Sequence, residues 1–305
     1  MVDNLVTKQN TRLGFIGLGL MGSRFFRRLH AQDWKIQGWN RSRSVTLALE
    51  RDGLSIAGTL AQFVRASHVL FSSLGNDDAV RAVYFGEEGV FANLQPGAVV
   101  LEMSTISPAL SALLHREATR HLAHLIDLPV SGSTPAVESG AVTLFAGGDE
   151  ETFSRCVPIF QSIAKQWFLM GPATAGVRMK LVVNLLLGVH MEAIAEAVSL
   201  GERLHLNRDA LLDALPKTAV IAPAFLGKFA KIKAGDYSPQ FPLHLMSKDM
   251  DLVHAAAAES GAELPAASAT RQIFAEALPG RGDLDLSAIT PYVLNLPNST
   301  NRTMG

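Results

Sequence analysis

The first forty residues confine the chain to one class of fold. An apolar run, Leu13-Gly14-Phe15-Ile16, enters Gly17-Leu18-Gly19-Leu20-Met21-Gly22, a helix-like segment follows to about Leu29, and a second apolar run spans Lys35 to Trp39. Strand, helix and strand at this spacing form a βαβ unit, whose parallel strands must be covered on both faces. Glycines also cluster in ordinary turns, so the placing of this pattern between a strand and a helix is what gives it meaning. In that setting Gly17 serves a tight turn, Gly19 a close backbone approach to a pyrophosphate, and Gly22 close packing of helix on strand. With Leu20 and Met21 these glycines make the candidate phosphate-binding loop, whose anion faces the N–H groups and positive dipole of the helix.

The end of the second strand refines that reading. A site for NAD usually places Asp or Glu there to bond the ribose 2′-hydroxyl, whereas this chain has Asn40, Arg41 and Ser42, followed by Arg43. A carboxylate would repel a 2′-phosphate, and a guanidinium bonds one strongly and stacks on adenine. The residues therefore favour NADP(H) over NAD; the plain alternative is a solvated basic turn.

Up to about Gly171 strand-like and helix-like segments alternate, as an α/β, Rossmann-type doubly wound parallel sheet requires. The expected strands are Leu13–Gly17, Lys35–Trp39, His68–Leu74, Ala98–Met103, His124–Pro129, Val142–Ala146 and Gln166–Met170, with helices at Asp77–Tyr84, Pro108–Arg120 and Glu150–Ala164. From Ala175 strand signals vanish, and Ala-, Leu- and Met-rich helical periods cover Gly176–Leu204, Asp209–Leu215, Pro242–Ala258 and Pro265–Leu278. The expected organisation is a dinucleotide-binding domain over 1–173, an all-helical domain over 174–294 joined by a long helix, and a tail over 295–305.

The chain has 305 residues, 48% of them hydrophobic, enough for two ordinary cores. A net charge of −1 leaves no footprint for nucleic acid or an anionic membrane. Cys156 is the only cysteine, which excludes an intrachain disulfide and suits a reducing compartment. Met1 to Thr11 lacks an apolar signal core, so the expected location is the cytoplasm. Leu181 to Leu200 is apolar enough to suggest a membrane span, but Asn184, His190, Glu192 and Glu196 interrupt it, which predicts a buried helix.

In open α/β sheets ligands lie beyond the carboxyl ends of the strands. Two polar groups stand at such ends: Met103-Ser104-Thr105, and Asp127-Leu128-Pro129-Val130-Ser131-Gly132-Ser133, whose turn can cradle a small carboxylate or simply reverse the chain. Lys180 and Asn184 lie four apart on one face of the long helix. A buried ammonium there is a usable acid or base with an amide beside it, and the alternative is a lysine that snorkels to solvent. Lys248 and Asp249, with Phe241 upstream, read on residue type alone as a surface ion pair beside a core aromatic.

These signals converge in FIGLGLMG, WNRS, EMSTISP, DLPVSGSTPAVESGAVTLFAGG, GVRMKLVVN, FPLHLMSKDMDL and GDLDLSAI, which occur in this order from Leu13 to about Ile289. The chain resembles the β-hydroxyacid dehydrogenases, the 3-hydroxyisobutyrate dehydrogenase-like family, and within them looks most like the NADPH-dependent glyoxylate/succinic semialdehyde reductases. The resemblance implies an active site between the two domains, a helical domain that commonly builds a homodimer or homotetramer, a small carboxylate-bearing carbonyl substrate, and no metal. It implies that Lys180 is the catalytic lysine with Asn184 as its companion, and that Ser131, Gly132 and Ser133 hold the substrate carboxylate. It places Thr105, Phe241, Lys248 and Asp249 at the nicotinamide and substrate end of the site. Relatives acting on 3-hydroxyisobutyrate or tartronate semialdehyde usually carry glycine where Ser133 stands and often an acid where Asn40 stands, so those readings are the alternatives. An imine reductase and a non-catalytic NADP-binding module are the other rivals, and their members lack the lysine kept here as Lys180. Thr174 replaces a glycine usual before Gly176, which bears on the geometry of that turn, and Phe25 and Phe26 look bulky for the first helix.

Overall fold

A computed structural model describes residues 6–297. The chain divides into two compact units, the first ending at Leu181 and the second starting at Val182.

The first unit is built on eight strands. They are β1 (Arg12–Ile16), β2 (Lys35–Trp39), β3 (Val69–Ser72), β4 (Val99–Glu102), β5 (His124–Asp127), β6 (Val130–Ser131), β7 (Thr143–Gly147) and β8 (Gln166–Gly171). β2, β1, β3, β4 and β5 lie side by side, all parallel. Because β2 flanks β1 on one side and β3 on the other, the chain reverses its direction of winding at β1, and such a switch point opens a crevice for ligands. β3 and β4 are buried at every residue, as strands covered on both faces must be.

Two departures from the expected sheet follow from local chemistry. The strand expected over His124–Pro129 ends at Asp127 and resumes as β6, because Pro129 has no N–H to give a ladder. β5 and β6 together run antiparallel to β7, which pairs in parallel with β8 on its other side, so the sheet is mixed at this edge.

Helices pack on both faces. Their ranges are α1 (Gly22–Ala31), α2 (Arg43–Arg51), α3 (Leu60–Ala66), α4 (Asp77–Tyr84), α5 (Val90–Asn93), α6 (Pro108–Arg120), α7 (Thr134–Ser139) and α8 (Glu150–Ile163). α2, α3, α5 and α7 are short and were not apparent in the sequence. One core gathers Phe25, Phe26 and Leu29 of α1 with Cys156, Ile159 and Phe160 of α8; the other gathers Val80 and Tyr84 of α4 with Leu110 and Leu114 of α6. The bulk of Phe26 is accommodated by Gly38 on β2, where a Cβ would stand 3.1 Å from the ring. Phe25 stacks on Phe15, with ring centroids 6.4 Å apart. Burial pushes the Cys156 thiol up to about 12, so it stays an unreactive core group.

α9 (Ala175–Arg203) runs 29 residues. Its first turns belong with the first unit, where Val177 is 1% exposed in the core, so the packing divides inside the helix rather than before it. The second unit continues with α10 (Arg208–Ala214), α11 (Leu226–Ala234), α12 (Leu243–Ser260), α13 (Pro265–Ala277) and α14 (Ile289–Leu294), and its described residues form no strand. α11 and α14 were not foreseen. Met191, Ile194 and Val198 of α9 pack there with Phe229, Met246, Met250 and Phe274. α9 is long and apolar enough to cross a membrane by composition, and the expectation of a buried helix holds for only part of it. Val182, Leu186 and Leu200 are 56%, 64% and 59% exposed.

Candidate active site

β1 to β5 are parallel, so the loops leaving their carboxyl ends share one edge of the sheet. The glycine loop leaves β1. Gly17 has φ +83°, and a Cβ there would stand 2.3 Å from Ser73 O; at Gly22 it would stand 1.8 Å from Gly17 O. A Cβ on Gly19, by contrast, would meet nothing within 4 Å. Thus the outer glycines are required by the turn itself, while the middle one leaves open space for a phosphate to approach the backbone. No side chain caps α1, and its first turn holds no acidic residue, as an anion site needs. Leu20 is 39% exposed beside this loop and Met21 half-buried.

At the end of β2, Asn40 is tied inward: Oδ1 accepts from Leu18 N at 3.0 Å and Nδ2 donates to Ser42 O at 3.0 Å. It holds the glycine turn in shape. Arg41 and Ser42 are exposed, and Ser42 begins α2 without capping it with its side chain. Arg43 belongs to the first turn of that helix. Two cations beside an uncapped helix N-terminus fit a phosphomonoester such as the 2′-phosphate of NADP.

β4 ends in a buried acid. Burial pushes the Glu102 carboxyl up, against hydrogen bonds from Ser104, Tyr84 and Ser72 that lower it. Oε1 accepts from Ser104 N at 2.8 Å, and Ser104 Oγ accepts from Leu74 N at 2.8 Å. These bonds join the loops after β3 and β4 and carry half-buried Thr105 to the edge. Beyond β6, Gly132 has φ +149° and a Cβ there would stand 2.8 Å from Val142 Cγ1, so the turn through Ser131, Gly132 and Ser133 needs glycine in the middle. Ser133 is exposed and starts α7 without capping it, which leaves its hydroxyl available to a ligand. Arg24 on α1 bonds Leu20 O at 2.6 Å and Glu138 of α7 at 2.7 Å, joining the glycine loop to the helix behind Ser133.

Thr174 resolves the question about its turn. It adopts φ +75°, the left-handed conformation that the usual glycine would take freely, and is 5% exposed. Its N–H donates to Asp127 Oδ1 at 2.9 Å, and Val177 N donates to Oδ2 at 2.8 Å. Asp127 also meets His115 Nε2 at 2.8 Å. Asp127 stands in the DLPVSGS run with no role legible there, and nothing in the sequence marks His115; only their contact reveals them.

Lys180 lies half-buried one helical turn after Gly176 on α9. Asn184, a further turn along, is fully buried, and its Nδ2 donates to Asp249 Oδ2 at 2.6 Å. Gly188 permits this, since a Cβ there would stand 2.5 Å from Met250 Sδ on α12. Donation to Asp249 fixes the amide's orientation, so Oδ1 is left as an acceptor, and it has no protein partner among the described residues. Lys248 Nζ stands 2.8 Å from Asp249 Oδ1. The expected surface ion pair is therefore half internal: Lys248 is partly exposed, but Asp249 is 2% exposed and serves Asn184. Phe241 is held by a hub, Asp285, whose role no sequence pattern marks. Asp285, fully buried, accepts from Lys228 Nζ at 2.8 Å and from Gln240 N and Phe241 N at 3.0 and 3.2 Å.

The comparisons agree with this architecture. Residues 12–171 match the NAD-binding domain of 6-phosphogluconate dehydrogenase, and residues 174–293 match the NAD-binding domain of NADP-dependent 3-hydroxyisobutyrate dehydrogenase. The chain is 32% identical to glyoxylate/succinic semialdehyde reductase 1 of Arabidopsis thaliana, covering 92% of this chain and 98% of that one. It is 30% identical to 2-(hydroxymethyl)glutarate dehydrogenase of Eubacterium barkeri, over 92% and 94%. A crystal structure of 3-hydroxyisobutyrate dehydrogenase from Salmonella typhimurium superposes with a TM-score of 0.85 at 28% identity, covering 93% of this chain and 100% of that one. With matching domain models in this order and an open glycine loop to receive a nicotinamide dinucleotide, the chain belongs to the 3-hydroxyisobutyrate dehydrogenase-like β-hydroxyacid dehydrogenases, oxidoreductases that act on hydroxyl groups.

Proposed function

We propose that the protein reduces a small carboxylate-bearing aldehyde or keto acid, of the glyoxylate or succinic semialdehyde type, to the hydroxy acid at the expense of NADPH. The observation that carries this reading is the α9 pair: Lys180, and a fully buried Asn184 whose orientation Asp249 fixes. When bound, the reduced nicotinamide supplies the hydride to the carbonyl carbon. Lys180 donates a proton from Nζ to the carbonyl oxygen, and before that its positive charge polarises the same bond. Asn184 offers Oδ1 as an acceptor, which suits the ammonium of Lys180 or the hydroxyl of the product. Ser131 and Ser133 bond the substrate carboxylate, which sets the distance between carbonyl and hydride donor. Arg41 and Ser42 bind the 2′-phosphate, and the likeness to glyoxylate/succinic semialdehyde reductase 1 supports the choice of substrate. The exposed apolar residues of α9, Val182, Leu186 and Leu200, serve a homodimer or homotetramer contact.

The test is steady-state NADPH oxidation with glyoxylate, succinic semialdehyde, methylmalonate semialdehyde and tartronate semialdehyde, with a cyclic imine beside these four carbonyl compounds, repeated with NADH and with Lys180→Met. The expected result is turnover on one of the first two with NADPH preferred, and a loss of about 10²–10⁴-fold in Lys180→Met while NADPH still binds. Near-normal turnover by Lys180→Met refutes the mechanism. NADPH binding without turnover on the four carbonyl compounds or the imine favours a non-catalytic module, and turnover confined to the cyclic imine favours an imine reductase.

A further inference from the structure

We infer that Asp127 and His115 are positioning residues for Lys180, a step that rests on the proposed role of that lysine. The first N–H groups of a helix lack partners within it and usually take a cap from the residue just before. α9 takes its cap from across the fold instead. Asp127, the last residue of β5 and fully buried, receives Thr174 N on Oδ1 at 2.9 Å and Val177 N on Oδ2 at 2.8 Å, from 47 and 50 residues away in sequence. Each carboxylate oxygen therefore holds one side of the turn that launches the helix.

The surroundings are shaped for this approach. A Cβ on Gly147 would stand 2.6 Å from Asp127 Oδ1, and one on Gly176 would stand 2.8 Å from Oδ2, so either substitution would drive the carboxylate off the helix end. Thr174 accepts a left-handed backbone, with φ +75°, in the turn whose N–H bonds Asp127. His115 on α6 then supplies a third bond, Nε2 to Oδ1 at 2.8 Å, which sets the plane of the carboxylate. A buried carboxylate held by three donors has little freedom to rotate.

Lys180 is three residues beyond Val177, a rise of about 4.5 Å along the helix, so movement of the helix end shifts the backbone from which the Lys180 side chain reaches. Four residues after Asp127 comes Ser131, the start of the loop assigned to the substrate carboxylate. One carboxylate thus sets both the proton donor and the strand leading to the substrate anchor. Misplacement by about 1 Å at a reacting centre is sufficient for a loss on the order of 10²-fold.

The test uses His115→Leu, which removes the donor, and His115→Gln, which restores an N–H at similar reach, with Lys180→Met in parallel. Glyoxylate reduction gives kcat, KM and NADPH affinity; amide hydrogen exchange at Val177 reports the cap without requiring turnover. The expected result is a fall of about tenfold in kcat and faster Val177 exchange in His115→Leu, unchanged NADPH affinity, and recovery of both in His115→Gln. The inference is overturned if His115→Leu keeps the wild-type kcat and Val177 protection, if His115→Gln is no better than His115→Leu, or if the loss lies in NADPH affinity. A normal Lys180→Met refutes the role of Lys180 itself and this inference with it. An inactive Lys180→Met beside a normal His115→Leu overturns only the positioning.

Discussion

Replacing Thr174 with glycine is expected to stabilise the protein, a rare outcome for a buried site. The residue holds φ +75°, is 5% exposed, and keeps Oγ1 buried without a protein partner among the described residues. A left-handed backbone costs a residue with a Cβ about 1–2 kcal/mol, and a β-branched side chain is among the least suited to it. An unpaired buried hydroxyl adds about 1–3 kcal/mol. Against these stand the burial of the Cβ and the methyl, about 1.6 kcal/mol, and the greater freedom of glycine in the unfolded chain, about 0.4–1 kcal/mol. The balance is centred on a gain of about 1 kcal/mol, because the bond from the residue's N–H to Asp127 survives the change. In a domain of this size that raises the melting transition of the first unit by about 2–4 °C. Calorimetry of Thr174→Gly, Thr174→Ala and Thr174→Ser separates the contributions. Alanine removes the hydroxyl but keeps a Cβ, and serine keeps both the hydroxyl and a Cβ, so the glycine and alanine variants should both be more stable than the serine variant. A glycine variant that melts below wild type, or a serine variant that matches the alanine variant, refutes the reasoning.

Two further outcomes follow from charges. Arg41→Ala should raise KM for NADPH by about 10–100-fold, the cost of a charge-assisted hydrogen bond, and leave KM for NADH unchanged; an equal rise for both cofactors rules out recognition of the 2′-phosphate. On α9, burial first and the neighbouring Glu196 charge second push the Glu192 carboxyl up to about 7. The folded chain therefore holds a proton that the unfolded chain releases near pH 4.3, so this group's contribution is most favourable at acidic pH and is lost as pH rises through about 7. Urea denaturation of Glu192→Gln should show a stability advantage over wild type that grows between pH 5 and pH 8; a constant difference contradicts the assignment.

The local rules of the chain made much of this protein legible before its structure. Apolar runs at strand length, the spacing of Gly17, Gly19 and Gly22, and the change of period after Gly171 each express a short-range constraint: a strand covered on both faces, a turn without room for a Cβ, an amphipathic helix. Lys180 and Asn184 shared a face by helical geometry alone. The helices α5 and α7 escaped because their four and six residues span too few turns to show a period.

What tertiary structure alone decided is which polar atoms meet. Asp127 reaches Val177 across 50 residues and Asn184 reaches Asp249 across 65. Asp285 becomes the support of Phe241 only because α11 brings Lys228 against it. Such pairings have no period and no fixed spacing. They exist because a carboxylate or amide taken out of water must find a partner, and the packing of distant elements decides which one is within reach. The sequence by itself determined a nicotinamide-binding α/β unit followed by helices, and it supplied a lysine and an amide one turn apart. The fold decided that Asp249 orients the amide and that Asp127 caps the helix carrying them both.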